Sequence, residues 1–306
     1  MSSRIPEPKS LKEKTQIEQG LPGIQQQMLS QPVSTKLPKE FNSVEQGYPE
    51  LVEYRGSNKL EGHVAVITGG DSGIGRATAV LFAREGANVA IIHQTKEEQD
   101  AAETIVMIEK EGRIGMKLAI DVGIRQQCFN AVEAIVAKFG RIDILVNNAG
   151  EQVFCDKLEE LSEDQLERTF RTNVFGYFFM SQACLPHMKK GSKIINCTSI
   201  LAYKGAGSLL DYLSTKGAEV SFTRSLALQL APRGIRVNAV APGAILTPLQ
   251  PASREQITEW VQKDSYPLGR IGQPSEVATC FVFLASNDSS YMSGQILHPN
   301  GLAFPV

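Results

Sequence analysis

The residue types and spacing of Ser199, Tyr212 and Lys216 could perform proton transfer. Tyr212 and Lys216 are four positions apart, so on a helix they share one face. An ammonium beside a phenol favours the phenolate, so Lys216 is expected to lower the pKa of Tyr212. Ser199 follows an apolar run, 193–198, that predicts a buried strand, and its hydroxyl could bind a substrate oxygen. A tyrosine with a lysine four positions on is otherwise an ordinary surface pair, and companion motifs decide between the two interpretations.

A glycine-rich segment further upstream is a candidate cradle for phosphate. The apolar run 63–68 predicts a strand buried on both faces of a parallel sheet, and residues 76–83 continue with helical periodicity. The segment before that helix reads Thr68-Gly69-Gly70-Asp71-Ser72-Gly73-Ile74-Gly75. Gly69 would permit a tight turn, Gly73 would let a pyrophosphate approach the backbone, and Gly75 would allow close helix–sheet packing. Glycines alone could simply mark a loop, but here both flanks fit a nucleotide site.

These motifs give the chain a marked resemblance to the short-chain dehydrogenase/reductases over about residues 60–302. The residues that carry it are Thr68-Gly69-x-x-x-Gly73-Ile74-Gly75, Asn147-Asn148-Ala149-Gly150, Asn173, Ser199, Tyr212-x-x-x-Lys216 and Pro242-Gly243. Within that family the sequence is similar to a branch with an N-terminal arm that includes aldehyde reductases and glucose/ribitol dehydrogenase homologues. The resemblance implies an oxidoreductase that interconverts a carbonyl compound, aldehyde or ketone, and an alcohol by hydride transfer.

Strand and helix signals alternate from His63 onward and predict an α/β fold. The predicted strands are 63–68, 88–92, 115–120, 142–146, 193–197, 235–240 and an edge strand at 295–298. The predicted helices are 96–110, 126–139, one or two within 158–188, and 212–230. Such alternation predicts a single-domain, doubly wound parallel sheet, a Rossmann fold, which binds ligands beyond the carboxyl ends of its strands.

The first part of the chain differs in composition and predicts an irregular N-terminal arm over 1–58, followed by the Rossmann-fold domain over 59–306. The arm is rich in Gln, Pro, Lys and Glu and cannot bury enough apolar surface to fold alone. It is either a disordered tail or, by the resemblance, an arm that lies against its own or a neighbouring subunit. Its candidate anchors are Phe41, Tyr48, Leu51 and Tyr54.

The resemblance also implies which residues contact a dinucleotide. The glycine turn contributes Thr68, Gly69, Ser72, Gly73, Ile74 and Gly75, and the ends of later strands contribute Asp121, Val122, Asn148, Ala149, Gly150, Pro242, Gly243, Ile245 and Thr247. Asp121 and Val122 would contact the adenine, and Ile245 and Thr247 would lie near the nicotinamide and phosphates. Asp121 alone could equally be a helix N-cap.

The end of the second strand bears on the choice between NAD and NADP. An acid there binds the ribose 2′-hydroxyl and repels a 2′-phosphate. His93 and Gln94 stand at this point with Lys96 close behind, so NADP(H) is favoured. Ser72 occupies a position where many NADP-dependent members carry a basic residue, and use of NAD(H) therefore stays possible.

By the same resemblance, four residues would carry the reaction. Ser199 would donate a hydrogen bond to the carbonyl oxygen, and Tyr212 would act as general acid in reduction and general base in oxidation. Lys216 would also bind the nicotinamide ribose. Asn173 would support a proton relay through water, or else be a polar group satisfied within its helix. Residues expected to line the substrate pocket are Glu151, Gln152, Val153, Leu201, Tyr203 and the loop 246–260.

Composition and net charge limit the classes of ligand and partner to be expected. A net charge of −2 and a pI near 6.2 give no reason to expect nucleic-acid or anionic-membrane binding. Five cysteines without a CxxC pair and four scattered histidines predict neither a disulfide framework nor a metal site. We expect a cytoplasmic homo-oligomer, tetramer or dimer, that acts on a small molecule. Imine or enone reduction, or a non-catalytic dinucleotide-binding scaffold or sensor, remain the alternative functions.

Overall fold

The structure is a computed structural model that describes residues 21–28, 30–39, 50–253 and 267–303. A small antiparallel sheet comes first in the chain and pairs β1 (Lys36–Pro38) with β2 (Leu51–Glu53). All other strands of the described ranges belong to one parallel sheet. Those strands are β3 (Val64–Thr68), β4 (Asn88–His93), β5 (Gly115–Ala119), β6 (Ile144–Asn147), β7 (Lys193–Cys197), β8 (Arg236–Val240) and β9 (Ile296–Leu297).

The seven strands of the main sheet lie in the order β5-β4-β3-β6-β7-β8-β9. The chain order therefore reverses direction between β3 and β6, and a crevice opens there at the carboxyl ends of the strands. This topology confirms the predicted doubly wound parallel sheet.

Helices cover both faces of the sheet. In chain order they are α1 (Gly73–Arg84), α2 (Glu98–Lys110), α3 (Arg125–Phe139), α4 (Glu163–Phe170), α5 (Gly176–Cys184), α6 (Leu201–Lys204), α7 (Leu210–Leu230), α8 (Leu249–Ser253) and α9 (Pro274–Ala285). Among them, none has both the length and the apolar character needed to cross a membrane.

The sheet is rigid because its central strands are buried on both faces. Every residue of β3, β6 and β7 is buried, as expected for parallel strands between two helical layers. Leu81, Phe82 and Phe281 fill the core on the α1 and α9 side. Ile135 and Met180 belong to the core on the opposite side, with α3 and α5. The strand ends, and the residues that follow them, are thus held in fixed relative positions.

The structure contains one long helix that was not predicted, α9 (Pro274–Ala285), and gives more detail between 158 and 188. The predicted one or two helices are α4 and α5 joined by a π-helical turn, Arg171–Phe175. Such turns contain one extra residue per turn and are frequent at functional sites. The helix that carries Tyr212 begins at Leu210, two residues before the predicted start at 212.

Parts of the N-terminal region lie against the main body. Leu51 is buried, and Tyr54 packs against the core and donates a hydrogen bond from its hydroxyl to Glu85. The other two candidate anchors, Phe41 and Tyr48, fall outside the described residues. The division of the chain at 58/59 stays a prediction.

Candidate active site

The glycine turn joins β3 to α1 and brings backbone to the surface of the crevice. Gly69 and Gly73 have φ values of +62° and +50°, in the left-handed region that favours glycine. A Cβ on Gly75 would lie 1.8 Å from the carbonyl oxygen of Gly69, so a side chain at 75 would prevent the turn from closing. The turn therefore brings main chain to the wall of the crevice, where a phosphate needs amide donors, and its Gly73 N–H donates to Gln25 Oε1 at 2.8 Å.

Two side chains, one at the end of β3 and one just after β6, tie this turn to the neighbouring strand. The Asn148 side-chain amide donates hydrogen bonds of 3.0 Å to the carbonyl oxygens of Thr68 and Gly69. In return, Thr68 Oγ1 accepts from the backbone N–H groups of Asn148 (2.9 Å) and Ala149 (3.0 Å). The two strands on either side of the crevice are thereby cross-linked at their carboxyl ends.

A cavity of about 590 Å³ lies beyond these strand ends. Most of the predicted site residues line it: Gly69, Ser72, Gly73, Ile74, His93, Asp121, Val122, Asn148, Ala149, Gly150, Ser199, Tyr212, Lys216, Pro242, Gly243, Ile245 and Thr247. Thr68, Gly75 and Asn173 stand behind this wall. Asp121 does not cap α3, because its carboxylate accepts from Gly123 N–H (2.8 Å) and Ile124 precedes the helix.

Ser199 and Tyr212 meet in the inner part of the cavity. Ser199 follows β7, and its Oγ accepts a hydrogen bond of 3.1 Å from Leu201 N–H, which fixes the hydroxyl. Tyr212 lies on the first turn of α7 and is only 7% exposed. Burial raises the pKa of Tyr212 above 10, while Lys216 and a hydrogen bond from Ser199 lower it. The expected lowering by Lys216 is present, but the predicted net direction is wrong because desolvation of the phenolate outweighs it.

Lys216 is held by groups that sequence reasoning missed. Its Nζ lies 5.3 Å from the Tyr212 ring centroid and donates to the carbonyl oxygen of Cys197 (3.0 Å). It also donates to both carboxylate oxygens of Glu219, at 2.8 and 3.1 Å. Although burial favours the neutral amine, the charge of Glu219 raises the pKa of Lys216. The position of Glu219, three residues after Lys216, was the available signal.

Asn173 lies in the π-helical turn and is fully buried. Its Oδ1 accepts from Glu151 N–H (2.7 Å), and its Nδ2 donates to Glu151 O (2.9 Å) and Thr215 Oγ1 (3.0 Å). A Cβ built on Gly150 would be 3.6 Å from Asn173 Oδ1 and 3.7 Å from Lys216 Nζ. The asparagine therefore lies close to the lysine, with its amide engaged by neighbouring groups.

Acidic and basic groups meet at the opposite end of the cavity, beside the end of β4. Asp71, His93, Lys96 and Glu97 line this end. Burial raises the pKa of Asp71 to about 6, and burial together with the charge of Asp71 raises the pKa of half-buried Glu97 to about 8. Asp71 Oδ2 has no hydrogen-bond partner among the described residues, and His93 Nε2 lies 3.4 Å from Glu98 Oε2. Buried polar atoms of this kind suit a polar ligand group.

A segment of the N-terminal region also lines the cavity, which the sequence did not indicate. Leu21, Pro22 and Gly23 form part of its wall. A Cβ on Gly23 would lie 2.2 Å from the carbonyl oxygen of Pro248, so this segment packs directly on the loop before α8. The arm is thus a component of the site as well as a surface feature.

Polar residues dominate the part of the cavity beside Ser199. Glu151 and Arg168 form an ion pair there, and Gln152 donates a hydrogen bond of 2.9 Å to Ser253 Oγ in α8. Leu201 lines the cavity as predicted. Tyr203 was expected there but packs edge-on against His298, with ring centroids 4.9 Å apart. Residues 254–260 of the predicted loop lie outside the described part of the chain.

The residues present fit a nicotinamide dinucleotide. Side chains at Gly69, Gly73 and Gly75 would crowd Asn148, Thr247 and the Gly69 carbonyl oxygen, so this turn needs glycines, and Asp71, with one unpartnered carboxylate oxygen, lines the cavity near the end of β4. The phenol, hydroxyl and ammonium lie together at another part of the same cavity. One elongated ligand could therefore extend from the glycine turn to the proton-transfer groups.

Comparisons with known proteins agree with this geometry. A family model described as enoyl-(acyl carrier protein) reductase matches residues 69–301. The chain is 54% identical over 257 residues to NADPH-dependent aldehyde reductase 1, chloroplastic, from Arabidopsis thaliana, covering 81% of this chain and 88% of that protein. It is 51% identical over 253 residues to glucose and ribitol dehydrogenase from Daucus carota, covering 81% and 87%.

A solved structure extends the comparison to the fold. A short chain dehydrogenase from Burkholderia cenocepacia, in complex with NADP, superposes with a TM-score of 0.75 at 32% identity and covers 80% of this chain and 99% of its own. Together these similarities show that the chain belongs to the short-chain dehydrogenase/reductase family and is an oxidoreductase.

Proposed function

We propose that this protein interconverts an aldehyde or ketone and the corresponding alcohol with NADP(H) as cofactor. The observation that carries the proposal is the meeting of a buried phenol, a fixed serine hydroxyl and a buried ammonium in the cavity that the glycine turn borders. Hydride transfer to a carbonyl needs a proton donor at the carbonyl oxygen, and Tyr212 with Ser199 supplies that arrangement.

Four residues of the chain have separate roles in the proposed reaction. When bound, the nicotinamide supplies or accepts the hydride. The Ser199 hydroxyl binds the substrate oxygen, and the Tyr212 hydroxyl gives it a proton during reduction. Lys216 offers positive charge beside the phenol and holds the nicotinamide ribose. Asn173 keeps the backbone of Glu151 in place and supports proton exchange with solvent.

The cofactor preference rests on the cavity end beside β4. Lys96 offers positive charge and His93 a ring nitrogen to a 2′-phosphate, and positions 93 and 94 at the end of the strand carry no acid. The names of two similar proteins mention NADPH or NADP, which supports the same choice. NAD(H) remains the second cofactor to test, because Asp71 and Glu97 lie at the same end.

The substrate is proposed to be a small or medium polar carbonyl compound. Glu151, Gln152 and Arg168 surround the space beside Ser199 and can bind hydroxyl groups of a substrate. Aldehydes and polyols appear in the names of the two similar sequences. Reduction of an enone is the second candidate, favoured by the description of the matching family model.

The first test is absorbance of the nicotinamide band with purified protein, NADPH or NADH, and a panel of aldehydes, ketones, sugars, imines and enones. Oxidation of NADPH by aldehydes or ketones supports the proposal. Turnover confined to enones or imines would replace the proposed reaction, and nucleotide binding without any turnover would favour the scaffold alternative.

Assembly and location remain predictions from the sequence. We propose a homotetramer or homodimer in the cytoplasm, and light scattering of the purified protein tests the assembly. The similar protein from Arabidopsis thaliana is named as chloroplastic, so fractionation of the source cells is needed to test the compartment.

A further inference from the structure

Glu219 is a buried carboxylate in direct contact with Lys216. It lies on α7 and is 1% exposed, and its two oxygens are 2.8 and 3.1 Å from Lys216 Nζ. The third contact of Nζ is the carbonyl oxygen of Cys197, at 3.0 Å. These contacts engage the ammonium with two protein groups, the Glu219 carboxylate and the Cys197 carbonyl.

Stability alone does not account for such a pair. Desolvating two charges offsets most of their attraction, and buried ion pairs are often no more stabilising than apolar side chains of similar volume. A carboxylate beside the lysine of a proton-transfer site therefore calls for an explanation in terms of that lysine's charge and position.

Four titratable side chains face the Glu219 carboxylate. Lys216 and Tyr212 face it from α7 itself, Cys197 from β7, and Tyr177 from α5. The Thr198 hydroxyl donates to the carbonyl oxygen of Lys216, at 2.9 Å. Lys216 supplies the positive charge in this set. The ammonium favours the phenolate of Tyr212, whereas the carboxylate opposes it.

We propose that Glu219 is a positioning residue that anchors the Lys216 ammonium against β7 and offsets part of its charge, which weakens the support that the ammonium gives to the Tyr212 phenolate. The inference rests on the proposed function, since a protonated phenol is what carbonyl reduction requires. It assigns to this chain a bias toward reduction that the serine, tyrosine and lysine alone do not specify.

Burial raises the pKa of the Glu219 carboxyl to about 7, against the lowering effect of Lys216 and its hydrogen bonds. Above that pH the carboxylate is charged and opposes ionisation of Tyr212. The phenol of the native protein should therefore titrate at higher pH than in a variant without this charge.

The test is titration of Tyr212 in the cofactor-free protein by NMR of tyrosines labelled with ¹³C at Cζ, with Tyr212→Phe to assign the resonance. Glu219→Gln keeps the shape and removes the charge, and we expect the Tyr212 pKa to fall by about one unit. Glu219→Asp keeps the charge and should restore most of the native value. The pH profile of alcohol oxidation should show the same shift on its acidic limb.

The matched control is Glu111→Gln. Glu111 also forms a close ion pair, 2.6 Å from Arg84, but it lies at the end of α2 and outside the cavity lining. This variant should leave the Tyr212 titration unchanged. A control of the same chemical type separates the local effect of Glu219 from a general loss of one carboxylate.

An unchanged Tyr212 titration in folded Glu219→Gln would overturn the inference and leave Glu219 a structural residue. If that variant does not fold, Glu219→Met, which replaces the carboxylate with an apolar side chain of similar volume, takes its place, and a Tyr212 titration identical to the native one in Glu219→Met contradicts the proposal. A failure of the proposed function is distinguished from a failure of this inference by turnover assays of the native protein. In that case no carbonyl or alcohol is turned over by native protein, whatever the titration gives.

Discussion

The Oε1 atom of Gln25 accepts a hydrogen bond of 2.8 Å from the backbone N–H of Gly73, which joins the N-terminal region to the glycine turn. Gln25 is 3% exposed, and its own backbone N–H donates to Asp100 Oδ2 at 2.7 Å. Arg76 completes the connection through bonds to Asp100 and to the carbonyl oxygen of Asp71. The geometry of the turn thus depends on a residue that lies 48 positions earlier in the chain.

Gln25→Ala should weaken binding of NADPH about tenfold, because loss of one well-placed hydrogen bond is worth about 1.4 kcal/mol. The preorganised turn would become more mobile, and the dissociation rate should rise accordingly. Fluorescence titration and stopped-flow release of NADPH measure both effects. Gln27→Ala is the matched control, since Gln27 is exposed and should leave both constants unchanged. Native-like binding by Gln25→Ala would contradict this role.

The preference for NADPH over NADH should decline as the pH rises from about 5.5 to 8.5. Burial raises the pKa of Asp71 to about 6, and burial with the charge of Asp71 raises that of Glu97 to about 8, so both carboxyls are mostly neutral at the lower limit and mostly charged at the upper one. Negative charge at this end repels a 2′-phosphate, which NADH lacks.

We expect the ratio of the two dissociation constants, NADPH to NADH, to rise about tenfold over that range. Glu97→Gln keeps the oxygen that accepts from Gln94 N–H but cannot ionise, and it should flatten the upper part of the curve. A ratio that is independent of pH in the native protein would show that these carboxyls do not sense the phosphate.

Asp211→Ala should lower the free energy of unfolding by about 2 kcal/mol, because it leaves buried donors without an acceptor. Asp211 is 2% exposed and accepts from Thr169 Oγ1 (2.9 Å) and Gln165 Nε2 (3.1 Å), linking α4 to the start of α7. Urea unfolding measures the loss. Asp156→Ala, at an exposed position, serves as control and should change stability by less than about 0.5 kcal/mol. Equal stabilities for the two variants would refute the link.

The sequence was sufficient to predict the sheet and most of the cavity wall. Buried parallel strands read as short apolar runs, as in 63–68 and 193–197, and their carboxyl ends must meet at one edge. Residues next to those ends, such as Ser199 and Asn148, could therefore be placed without any side-chain geometry.

Other features depend on burial and on long-range packing, which local patterns do not encode. The net pKa direction of Tyr212 was mispredicted because the spacing to Lys216 gives the charge but not the desolvation. The π-helical turn around Asn173 has no periodicity that separates it from the adjoining helices. Gln25 belongs to a run of three glutamines, and nothing in that run indicates its hydrogen bond to Gly73, because the two residues are distant in sequence.

The most direct test of the account is Tyr212→Phe, which removes the proposed proton donor and leaves the ring in place. With the best carbonyl substrate from the panel, we expect kcat to fall by at least about 100-fold, the usual scale of general-acid catalysis, while the dissociation constant of NADPH changes less than about threefold. Single-turnover oxidation of NADPH and fluorescence titration measure the two quantities on the same sample. Turnover by Tyr212→Phe at the native rate would contradict the central claim that this phenol supplies the proton.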